Sequence, residues 1–127
     1  MIRLVGVAGL MAITGCAVAP SAVDIVNADF GSPMSQSECE RIAKEQILPM
    51  LKDPGSAQMS FGRCEKRSLH SIPIAGVPIQ HGYFTVANVN SKNSFGGYTG
   101  AQPWEVLMKN GRAIRRTYPT DGMQLPY

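Results

Sequence analysis

The side chains with the widest chemical range in this sequence are three thiols and two imidazoles: Cys16, Cys39, Cys64, His70 and His81. Thiolates and imidazoles together can hold zinc, and a thiolate beside an imidazole can act as a nucleophile. A site built from Cys39, Cys64, His70 and His81 is arithmetically open, but it lacks the tight paired spacing of structural zinc sites. No Gly-x-Ser-x-Gly, His-Glu-x-x-His, GxGxxG or Gly-Lys-Ser/Thr pattern is written anywhere in the chain. Glu38, Glu40 and Glu45 read as a solvated helix face with cap charges, and Glu65, Glu105 and Asp121 are scattered. The expectation is a non-enzymatic protein with no cofactor and no metal. What remains for the thiols is covalent chemistry, which depends on the compartment.

The first 15 residues specify that compartment. Arg3 is the only charge before Asp24, and an apolar run from Leu4 to Ile13 ends in Thr14, Gly15 and Cys16. A short positive region, an apolar core and a small-residue exit make a secretory signal. The run is too short to span a bilayer permanently, which takes about 20 apolar residues. Ile13-Thr14-Gly15-Cys16 resembles the lipobox of bacterial lipoproteins. That resemblance implies cleavage before Cys16, a diacylglycerol on its thiol and an acyl group on the new amine. Two or three acyl chains anchor durably where one does not. In a double-membrane host, Ala17 in place of Asp after the lipidated Cys implies the outer membrane, facing the periplasm. The expected organisation is a signal peptide over 1–15, a lipid-anchored tether over 16–33 and a single domain over 34–127. Val23, Ile25, Val26 and Phe30 are more apolar than a spacer needs, so part of the tether is expected to pair with the domain as an edge strand.

The composition fits one folded domain. An apolar fraction of 44% over 127 residues excludes bulk disorder, and a net charge of +3 is too small a basic footprint for nucleic acid. Ser35 with Glu38, and Ser37 with Glu40, form overlapping capping boxes. The helix that follows carries Cys39, Ile42, Ala43, Ile47, Met50 and Leu51 on one face. Pro49 should kink its last turn or end it near Leu48. Downstream, Met59 and Phe61, with Arg63 in phase, suggest a strand, and residues 82–90 are rich in β-branched and aromatic types. Residues 71–79, with Pro73, Gly76 and Pro78, read as a loop or edge excursion. Trp104–Lys109 and Arg112–Tyr118, joined by Asn110-Gly111, read as a hairpin with the strongest two-residue turn signal. The expected fold is α+β: one N-terminal helix packed on an antiparallel sheet of three or four strands.

With Cys16 assigned to lipid, Cys39 and Cys64 face an oxidising compartment. Cys39 to Leu51 is about 18 Å of helix, and a strand returning from Gln58 to Cys64 covers about 20 Å. The two sulfurs therefore end at one level, and a disulfide is expected. The alternative is two reduced, separately buried thiols.

Two surface features remain. The block Val89-Asn90-Ser91-Lys92-Asn93-Ser94-Phe95-Gly96-Gly97-Tyr98-Thr99-Gly100 and the step Lys52-Asp53-Pro54-Gly55-Ser56-Ala57 together resemble a broad group of small exported bacterial proteins, many of them lipoproteins. The resemblance implies a shared fold and assigns no chemistry. The block reads either as a recognition loop, with Lys92, Asn93, Phe95 and Tyr98 offered to a partner, or as a structural turn with its aromatics packed. Charge is also uneven: residues 16–62 hold six acids against three bases, and residues 63–127 hold eight bases against three acids. Arg112 and Arg116 are expected on one strand face and Arg115 on the other. They form either a docking strip or protection of a sheet edge. The expected function is a lipid-anchored accessory or scaffold protein with an envelope protein partner. The alternative is a periplasmic binding module or inhibitor that recognises a cell-wall fragment or hydrolase through the Gly-aromatic loop.

Overall fold

A computed structural model describes residues 18–119. The expected signal peptide, Cys16 and Asp121 lie outside the described residues. The described chain is α+β: helix α1 (Ala22–Val26), helix α2 (Gln36–Ile47), then strands β1 (Gln58–Phe61), β2 (Glu65–Leu69), β3 (Gln80–Asn90), β4 (Gln102–Lys109) and β5 (Arg112–Thr117). All five strands join one antiparallel sheet.

Helix α2 starts on a capping box. Ser35 accepts from the Glu38 amide, and the Glu38 carboxylate accepts from the Ser35 amide. These hydrogen bonds hold the Glu38 carboxyl below its usual range. Ser37, the other candidate cap, is inside the helix. Proline ends the regular helix as expected, and Leu48–Met50 is a 3₁₀ turn. That change of pitch swings Met50 off the buried face, leaving it 47% exposed. Cys39, Ile42, Ala43 and Ile47 pack against Tyr83, Ala87 and Val89 of β3 and Val106 and Met108 of β4.

The sheet has one strand more than the expected maximum. The addition is β2, Glu65-Lys66-Arg67-Ser68-Leu69, whose first three residues are exposed. Such a sequence shows no apolar alternation, and it forms a strand because the edge of β3 is there to pair with. β1 and β2 lie end to end along that edge. Phe61 pairs with Ala87 and Glu65 with Phe84, so the edge advances four residues against three on β3. The extra residue is a bulge over Gly62, Arg63 and Cys64. It reverses the expected facing: Cys64, rather than Arg63, turns to the helix side and packs against the core. There Cys64 forms a disulfide with Cys39.

Gln36 completes the bulge. Its carboxamide donates to Gly62 O at 3.0 Å and accepts from the Cys64 amide at 2.8 Å, standing in for the ladder contacts that the bulge interrupts. The Thr85 hydroxyl, fully buried, also donates to Gly62 O at 3.0 Å. The β4–β5 turn is the expected Asn110-Gly111, both at positive φ (52° and 77°).

The stretch expected as a tether carries structure from Val18 onward. Val18 bridges Ser71, α1 follows, and Phe30 packs against the core. The Ser32 amide then donates to the Asn110 side chain at 2.9 Å. Asp29 pairs with Lys109 at 3.3 Å, and its carboxyl is lowered first by the Gly31 amide and then by Lys109.

Candidate functional site

The two sequence blocks that stood out, 52–57 and 89–100, meet in space. Pro54–Ser56 is a 3₁₀ turn, and the Ser56 hydroxyl donates to Asp53 O at 2.8 Å. The same hydroxyl oxygen accepts from the Lys92 amide at 2.8 Å, while Ser56 O accepts from the Tyr98 hydroxyl at 3.1 Å. Ser56 thus clips both ends of the 91–101 loop to the turn after α2. Lys92 and Tyr98 also bridge across the loop, with the ammonium 5.6 Å from the ring centre.

Asn93 builds the tip of this loop. Its side-chain oxygen accepts from the Phe95 amide at 2.9 Å and the Gly97 amide at 3.2 Å, and its own amide donates to Gly97 O at 2.8 Å. An Asx turn of this kind holds backbone without using a strand partner. The Gly100 amide donates to the Asn90 side chain at 3.1 Å. The structure therefore divides the four predicted loop residues. Lys92, Asn93 and Tyr98 hold the loop, and Phe95 is left 97% exposed.

The basic residues of β5 are divided differently from the expected strip. The register shifts between Leu107 and Met108, so that Leu107 pairs with Arg115 and Met108 with Ala113. The bulge reverses the phase beyond it. Arg112, paired with Lys109, shares the Leu107 side with Arg115, and Arg116, paired with Val106, turns to the helix side. There its guanidinium donates to Gln46 O at 3.5 Å, near the carbonyl end of α2, where a cation is favoured. Arg115 donates to His70 O at 2.7 Å, and partial burial draws its guanidinium below its usual pKa.

Sequence reading missed two arrangements. Ser68 and His81, cross-strand partners in β2 and β3, bring a hydroxyl within 2.6 Å of the imidazole Nδ1. The Asp24 carboxylate, which His81 influences through its charge, accepts from the Ser21 amide and hydroxyl at 2.8 and 2.6 Å. The other is a shallow cleft of about 330 Å³ between α2 and the β4–β5 turn, lined by Pro33, Met34, Glu38, Arg41 and Asn110 among others. It gathers none of the predicted site residues. Among the described residues, no three His, Cys, Asp or Glu side chains converge as a metal site would require.

No protein-family model, curated protein or solved structure matches this chain.

Proposed function

We propose that this chain is a lipid-anchored accessory protein of the cell envelope, acting by binding rather than by turnover, and that it engages an envelope protein through the tip of the Gly-aromatic loop. Its anchor is acylated Cys16, and the outer membrane, on its periplasmic side, is its place. The observation that carries this reading is Phe95, 97% exposed on a loop whose flanks are held by Ser56 and Asn93. An aromatic ring presented on ordered backbone loses little further conformational freedom when it binds. Its burial in a partner pocket contributes about 2 kcal/mol from apolar area alone. Aromatic side chains, phenylalanine among them, are enriched in protein interfaces relative to the rest of the surface.

Affinity purification of the full-length chain from detergent-solubilised membranes tests the reading. A stoichiometric protein partner is expected with the native chain, and its loss with Phe95→Ala. Retention of the same partner by the variant would refute the loop as the contact. A lone monomer that shifts on addition of cell-wall fragments would replace the scaffold with a ligand-binding module. Replacing Cys16 by Ser should release the protein from membranes, and unchanged membrane retention would remove the anchor from the account.

A further inference from the structure

Only Ala17 separates Cys16 from Val18, and Val18 is fixed to the domain. Its amide donates to Ser71 O at 3.2 Å, and the Ser71 amide donates back to Val18 O at 3.0 Å. Two residues of chain reach at most about 7 Å. Whatever is attached at Cys16 is therefore held against the segment that begins at Ser71. No slack is left to let the domain hang free.

Aliphatic side chains stand outward on both sides of this fixed point. Ile72 and Val77 exchange hydrogen bonds at 2.8 and 3.1 Å, closing a small hairpin through the 3₁₀ turn Pro73–Ala75. Ile74, within that turn, is 84% exposed. On the other side, α1 begins four residues after Val18 and buries none of its residues. Val23, Ile25 and Val26 are all exposed, as is Val18. The one acid of α1, Asp24, is engaged with Ser21, and the Arg115 guanidinium lies on His70, next to Ser71. Five outward aliphatic residues around one anchoring point, with a cation beside them, match the apolar interior and anionic headgroups of a bilayer.

We propose that this pole of the domain is a membrane-contact surface, in which Val18, Val23, Ile25, Val26 and Ile74 rest in the bilayer that receives the acyl chains of Cys16. The proposal rests on the acylation of Cys16 and goes beyond it by fixing which face of the domain meets the lipid. β3 runs from this pole to the Gly-aromatic loop. Its 11 residues span about 33 Å at the usual rise per residue, and that length separates this pole from the foot of the loop that carries Phe95.

The test uses the full-length acylated chain reconstituted into phosphatidylethanolamine–phosphatidylglycerol vesicles with brominated acyl chains, which quench tryptophan at close range. Ile74→Trp, Val26→Trp and Phe95→Trp each change an exposed side chain, and the native Trp104 signal is subtracted. The added emission at 74 and at 26 should be lost in brominated vesicles, and that at 95 retained. An acylated chain that keeps its emission at 74 and 26 overturns this proposal alone. If those variants also dimerise with rising concentration, the patch belongs to a second copy of the chain. Mass spectrometry of the same preparation separates the two ideas, because an unmodified Cys16 overturns the anchor and the contact surface together.

Discussion

At the N-terminal end of β3 the irregular segments are tied by backbone pairing, Val18 to Ser71 and Ile72 to Val77, and Val18 and Ile74 are exposed. At the C-terminal end the backbone pairing of Lys92 with Tyr98 is joined by side-chain ties: Ser56 and Asn93 take the amides of Lys92, Phe95 and Gly97, and Tyr98 reaches back to Ser56 O. Backbone pairing places few demands on residue type, so the first pole is free to be apolar. Side-chain ties need particular residues, so the second pole carries a recognisable text. One pole therefore lacks a motif and exposes aliphatic side chains, while the other has a motif and exposes Phe95 almost completely and Tyr98 in part.

The largest perturbation acts on the helix that packs across the middle of the sheet. Reducing the disulfide between Cys39 and Cys64, which are 25 residues apart, should lower unfolding free energy by on the order of 3 kcal/mol. Urea denaturation with and without reductant measures this, and an unchanged midpoint would show that the capping box and Gln36 suffice. Gly82→Ala comes next. A Cβ there meets the Met108 carbonyl of the adjacent strand, and the forced separation should cost about 2 kcal/mol. Because Gly82 lies at the N-terminal end of β3, amide exchange at Val18 and Ser71 should quicken while the Lys92 amide stays protected. Equal loosening of both poles would show that they are not independent.

Ser56→Ala is the reciprocal change. It should cost about 1 kcal/mol, free the Lys92 amide and leave Val18 and Ser71 as they were. Acid separates the poles in a subtler way. Hydrogen bonds from the Ser21 side chain and amide depress the Asp24 carboxyl in the folded state. Its stabilising contribution is therefore complete above the unfolded value, about pH 4, and is lost as pH falls through the lower folded value. Amide resonances of α1 should broaden or shift on acidification, Asp24→Asn should abolish the change, and the 91–101 loop should not respond. The smallest stability effect belongs to Phe95→Ala, which should stay within about 0.5 kcal/mol while removing partner capture. A large loss of stability would mean that the ring packs somewhere in solution.

Much of the framework was legible because its signals are local. Ser35 and Glu38 marked the start of α2, Pro49 its end, and Asn110-Gly111 the hairpin. Matching the rise of a helix to that of a strand gave the level of the two sulfurs, and the bulge at Gly62 to Cys64 turned Cys64 inward to form the disulfide. The site was only half legible. The two blocks could be seen in the text, but nothing in either shows that Ser56 joins them, because a hydroxyl in a turn has many candidate partners. β2 was hidden because polar residues on an exposed edge carry no periodic signal.

What the sequence alone determined are the segments whose conformation depends on neighbours within a few residues: caps, turns and the buried face of α2. The tertiary structure decided which way the strand residues face. One extra residue near Cys64 and another near Ile114 reverse the alternation beyond them, turning Cys64 and Arg116 toward the helix and leaving Arg112 and Arg115 on the other face. A strand's own residues specify that its side chains alternate. Only the hydrogen-bond register with the adjacent strand specifies where the alternation slips, and that register is settled across the whole sheet at once.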